Sequence, residues 1–165
     1  MISFPAELAQ EAAITSRVLA RVPEDRLTWK PHPKSMTLGQ LALHTATIPG
    51  AIAQLTAVDV FETNPAAFGN PPQPANRAEI VKAFDDSNAA AKAYLEGLSA
   101  ERAEAVFRVI AGDRELMAVP REWALRSLMF NHLYHHRGQL SVYLRLLDIP
   151  VPIIYGASAD ESPFR

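Results

Sequence analysis

The sequence predicts an all-α protein, a four-helix bundle with long interhelical loops and room for a small hairpin before the last helix. Three observations point to that class. Apolar residues recur at spacings of three and four over four long segments. Helix-start chemistry stands at the head of the second and third segments. Prolines gather in the stretches between, where they interrupt helices.

The first helix is expected over Ser3–Val22. Pro5 falls in its first turn, where the missing N–H costs nothing, and Leu8, Ala12, Thr15, Val18, Leu19 and Val22 form an apolar stripe. Pro23–Ser35 then breaks the pattern, because Pro31-His32-Pro33 is incompatible with helix. The second helix opens at Thr37, where Thr37 and Gln40 suit a capping box. Leu41, His44, Ile48, Ile52 and Leu55 follow, so His44 falls within the buried stripe, and Pro49 predicts a kink one turn beyond it. Val60–Ala75, with Pro65, Pro71, Pro72 and Pro74, reads as loop. At roughly 3.3 Å per residue its about 16 residues could cross the ~35 Å length of a helix, so a crossover topology is open.

The third helix opens at Asn76, with Glu79 at the third position, and ends near Leu98; Ile80, Ala83, Phe84, Ala91 and Leu95 are its apolar positions. Ser99–Val119 is compatible with a hairpin, since Ala105–Ile110 and Glu115–Val119 flank Ala111-Gly112-Asp113-Arg114. The fourth helix begins around Pro120 and runs to about Leu147; Pro150 and Pro152 stop it, and the tail to Arg165 should be extended. No repeat, low-complexity tract or linker divides the chain, so residues 1–165 read as a single domain.

Composition narrows the function classes. A net charge of −2 offers no electrostatic case for nucleic acid or an anionic membrane. With no cysteine, disulfides, thiolate ligands and cysteine nucleophiles are excluded, and a transition-metal site must draw on His, Asp, Glu or water. No basic n-region followed by an apolar h-region opens the chain, and no run approaches the roughly 20 apolar residues of a membrane span, so the cytoplasm is the expected location.

Three of five histidines fall within Asn131–Gln139. On a wheel of about 100° per residue with His132 at zero, Leu125, Met129, His136, Leu140, Tyr143 and Leu147 lie between about 20° and 80°. His132 and His136 therefore share the inward stripe one turn apart, while His135 falls at its border, near about −60°. With His44 on a facing helix, the pair could form three corners of a metal site. A buried polar network is the competing reading, since each desolvated ring nitrogen needs a partner. Opposed axial haem ligation does not suit one-turn spacing. His32 between two prolines reads as a surface residue. Gln139, beside the stripe, suits either orientation of an imidazole or an ordinary interhelical hydrogen bond. Arg137, about 100° from the stripe centre, suits an ion pair with a neighbour or anion binding at a site mouth. Trp123, Met129, Tyr134 and Tyr143 read as core or interface.

The run Asn131-His132-x-x-His135-His136-Arg137-Gly138-Gln139-Leu140-Ser141-Val142-Tyr143-Leu144-Arg145, followed by Ile149-Pro150-Val151-Pro152 and Ile154-Tyr155-Gly156-x-Ser158-Ala159-Asp160-Glu161, closely resembles the C-terminal signature of the DinB-like family. Arg21–Gly39 and His44 resemble its first interhelical loop and second helix. The resemblance implies an up-down-down-up bundle, often a homodimer, with a divalent metal (zinc or nickel) held by His44, His132 and His136. It also implies a small-molecule substrate and kinship with thiol-dependent transferases, which would make a low-molecular-weight thiol a second cofactor. A metal-dependent hydrolase and a non-catalytic metal-binding stress protein are the alternative readings. Asp160 and Glu161 could act as a general base only if the tail folds over the site.

Overall fold

The computed structural model describes residues 3–64 and 69–164. Met1, Ile2, the stretch of the expected loop at Pro65 and the last tail residue, Arg165, lie outside them.

Helix α1 spans Phe4–Leu19 and begins as expected beside Pro5, with Pro in its first turn. Helix α2 spans Leu38–Thr56 and opens on the full reciprocal capping box between Thr37 and Gln40. It runs through Pro49, and the next amide, Gly50 N, donates to Ser87 Oγ at 2.8 Å. Helix α3, Arg77–Glu96, is capped by Asn76, whose side chain accepts from Glu79 N. A short helix, α4, covers Ala100–Glu104. Residues 121–146 then form one continuous helical rod in three parts: α5 (Arg121–Ala124), a π-helical segment (Leu125–Asn131) and α6 (His132–Leu146).

The all-α expectation is overturned by a three-stranded mixed sheet, so the fold combines α and β structure. Strands β2 (Val106–Ala111) and β3 (Arg114–Pro120) pair antiparallel around Gly112, whose φ of 58° suits a residue without Cβ. Strand β1 (Val60–Glu62) adds in parallel to β2, where the sequence reads as loop. The physical reason is length and distance. Three residues carry no usable period, and the partner that makes them a strand lies nearly fifty residues downstream.

The apolar core falls into two clusters. Val18, Leu19, Leu41, Ala42, Ile80, Phe84, Leu140 and Leu144 belong to one, and Leu8, Ala53, Ala91, Leu95, Leu125 and Phe130 to the other. Helices α1 and the 121–146 rod run from the second cluster toward the first, and α2 and α3 run the opposite way. Between the clusters lies a band of polar side chains, including Glu11, Thr15, Ser87, His136 and Arg137.

Helices α2 and α3 approach each other closely at Gly50. A Cβ there would sit 2.9 Å from Ser87 Cα and 3.0 Å from Ser87 O, both backbone atoms. Gly50→Ala is expected to destabilise the protein by about 1–3 kcal/mol, the usual range for overpacking, read as a lower urea midpoint. An unchanged midpoint would show that α2 and α3 separate at no cost.

Candidate metal centre

His44 lies in the middle of α2, half-buried between the buried pairs Leu41–Ala42 and Thr45–Ala46. His132 is the first residue of α6, directly after the π-helical segment, and His136 follows one turn later. Their side chains converge. His132 Nε2 lies 2.8 Å from His136 Nε2 and 3.3 Å from His44 Nε2. One ligand nitrogen from each histidine lies within 4.8 Å of the other two.

Three imidazoles meeting through their Nε2 atoms cannot satisfy one another, since each lone pair needs a donor and few protons are available. A shared cation resolves that conflict. Nitrogens about 2.05 Å from one ion lie about 2.9 Å apart at right angles and about 3.3 Å apart in a tetrahedron. The separations of 2.8 and 3.3 Å match this range, so the residues fit a divalent transition ion.

The surroundings hold the rings in the form such an ion needs. Gln139 Oε1 lies 2.8 Å from His136 Nδ1; an amide oxygen only accepts, so the proton stays on Nδ1 and Nε2 keeps its lone pair. His132 makes a backbone hydrogen bond to Leu128, one turn earlier. Burial lowers the pKa of all three rings. His44 is lowered further by the charge of His132, and His136 is pushed down to about 4 despite the opposing hydrogen bond to Gln139. At neutral pH all three are therefore neutral donors.

This has a consequence for the metal-free protein. The unfolded chain protonates its histidines near pH 6.5, whereas the folded triad resists protonation until about pH 4 at His136. The unfolded state therefore takes up protons first as pH falls, so the triad's contribution is full above about pH 6.5 and is lost progressively toward pH 4. The urea midpoint of metal-free protein should fall between pH 7 and pH 5.5, before carboxylates titrate. His136→Gln should flatten that slope. A midpoint that is level in the unsubstituted protein would show that the rings are not desolvated.

The other expected residues fall out differently. His135 is exposed and outside the converging group, with its ring centroid 4.8 Å from that of His136. His32 sits in its exposed loop, its Nδ1 accepting from Lys34 N at 3.2 Å. Arg137 makes the ion pair that was one of its two readings, but does so inside the core. It is only 1% exposed and turned into the polar band, where it pairs with Glu11 at 2.6 Å and donates to Thr15 Oγ1 and Tyr155 Oη. It is a core residue and does not stand at a site mouth. The wheel missed this because its stripe spanned about 20° to 80°, whereas the buried face of α6 also takes in Leu133 and Leu144, at about 100° and 120°, next to Arg137 at about 140°. Thr15 already stood in the α1 stripe, and Glu11, one turn before it, could have been found as a polar member of the same face. The tail carboxylates are likewise committed elsewhere. Asp160 pairs with Arg145, which holds its carboxyl below the usual range, and Glu161 binds Arg17 and Arg21.

Fold and site together define a class: a mixed helical protein whose long helices carry a tri-imidazole cluster able to hold a metal ion. The sequence pattern of the DinB family matches residues 3–163, and the chain belongs to that family. It is 25% identical over 154 residues to the uncharacterized protein YrdA of Bacillus subtilis (strain 168), covering 92% of this chain and 85% of that protein. Its structure resembles the crystal structure of a DinB-like protein from Bacillus cereus ATCC 10987, with TM-score 0.71 and 23% identity over 90% of this chain and 93% of that one. A DinB-like protein of Bacillus subtilis, YjoA, is similar in fold at TM-score 0.67 and 20% identity, covering 91% and 96% of the two chains. No helix among the described residues is long and apolar enough to cross a membrane.

Proposed function

We propose that His44, His132 and His136 bind a divalent transition ion, zinc or nickel, in a metal-dependent enzyme whose reaction is thiol-dependent group transfer. The observation that carries this reading is the convergence of three neutral imidazoles with no fourth Asp, Glu or His among the described residues joining them. Three neutral protein ligands are the pattern of a catalytic site with an open position, whereas a structural site is closed by a fourth. When bound, such an ion supplies positive charge that makes a water or thiol more acidic.

The chain's own residues prepare and protect that position. Gln139 fixes the tautomer of His136, and burial keeps the rings unprotonated at neutral pH. A water-using hydrolase would be helped by a nearby carboxylate base. Asp160 and Glu161, the two that the sequence offers for that role, are held by Arg145, Arg17 and Arg21 instead. This favours a thiol, which once ionised is a nucleophile without further help. The family resemblance points the same way.

The test uses cobalt-substituted protein and four thiols: bacillithiol, mycothiol, glutathione and cysteine. A new absorption band with one of them, missing in His136→Ala, is the expected result. No band with any thiol, together with metal-dependent ester or amide cleavage, would replace transfer by hydrolysis.

A further inference from the structure

A cavity of about 340 Å³ opens beside the histidine cluster, with His132 in its wall. Its other walls come from elements distant in sequence: Leu55 of α2, Leu128 of the π-helical segment, and Phe61, Val109 and Met117 from the three strands. The strand residues form one row across the sheet, since Phe61 pairs with Val109 and Val109 with Met117, so their side chains share a face. Beside Val109 the register slips, and Leu116 is the extra residue of a β-bulge that also lines the space. Among the lining residues only Thr63 and His132 are polar, and none carries a formal charge.

We propose that this cavity is the substrate pocket of the three-histidine site and takes the uncharged, apolar body of a small electrophile, an aromatic ring or compact aliphatic group. The inference rests on the enzymatic reading above and adds the substrate class. Its size is at the lower end of small-molecule pockets, which suits one ring system or a short chain. A charged group placed there would lose its hydration with no counter-ion to replace it. His132 is the polar end, so a ligand seated among the apolar walls presents its opposite end toward the cluster. The sheet is therefore part of the active region and supplies specificity rather than catalysis.

The test uses two fluorescent probes with the same aromatic body, neutral N-phenylnaphthylamine and anionic anilinonaphthalene sulfonate, titrated into metal-free protein. The neutral probe should bind saturably, and the anion at least about tenfold more weakly, because the wall offers no charge partner. Leu116→Asp, at a position 45% exposed, should weaken the neutral probe at least about tenfold. Leu55→Asp, on α2 rather than the sheet, carries the same expectation should the first variant fold poorly. Val142→Asp, on an exposed part of α6 away from the cavity, should change nothing. Equal binding of both probes, or binding indifferent to both cavity substitutions, would overturn the proposal. In cobalt-loaded protein the bound probe's proton resonances should relax faster than in zinc-loaded protein, and equal relaxation would detach the cavity from the site. If no metal binds, the enzymatic reading fails while the probe titrations still decide the cavity.

Discussion

His132→Ala and His136→Ala should each abolish stoichiometric metal, and His44→Ala should come close to doing so, whereas His135→Ala and His32→Ala should leave it bound. Among the described residues, the three rings that converge through nitrogens 2.8 and 3.3 Å apart are the ones placed to share an ion. Removing one leaves two neutral donors, too few to compete with water and buffer. Loss of a partner that merely orients a ligand lowers metal affinity by about 10–100-fold, so loss of a ligand itself should exceed that. Gln139→Ala, which frees His136 Nδ1, should fall in the 10–100-fold range and so separate orientation from ligation. Metal content by mass spectrometry after dialysis reads all of these. Loss of metal from His135→Ala with retention in His136→Ala would refute the geometry.

The largest effect on stability is expected at Glu11. Its carboxylate faces the Arg137 guanidinium at 2.6 Å, with the two side chains 10% and 1% exposed. Arg137 is further held by Thr15 Oγ1, the Glu11 carbonyl and the rings of Tyr134 and Tyr155. Glu11→Ala would leave a buried cation with no counter-charge, and breaking a buried pair from one side costs about 3–5 kcal/mol. For a chain of this length that is roughly 6–20 °C in melting temperature. Arg137→Met combined with Glu11→Leu removes both charges and should recover much of the loss, because an apolar pair of similar volume can replace a buried ion pair. A double variant no better than Glu11→Ala would show that the pair contributes more than charge balance. Metal content should survive in both variants, since neither residue belongs to the histidine cluster.

The long helices were legible because each announces itself locally. The capping box at Thr37–Gln40 and the Asn76 cap are where the sequence placed them, and the hairpin around Gly112 follows from two β-rich runs flanking a turn. The histidine spacing was legible for the same reason: residues four apart on a helix share a face whatever the rest of the chain does.

What the sequence determined by itself was therefore local: the helix starts, the hairpin, the pairing of His132 with His136, and the family. The tertiary structure alone decided that β1 joins β2 and makes the fold mixed, that Arg137 points into the core toward Glu11, and that β-strand residues wall a cavity beside His132. Each of these depends on partners tens of residues apart. Periodicity reports which face of an element is apolar; it carries no information on which distant element will meet that face, and that meeting is what sets charge pairing, sheet order and the shape of the pocket.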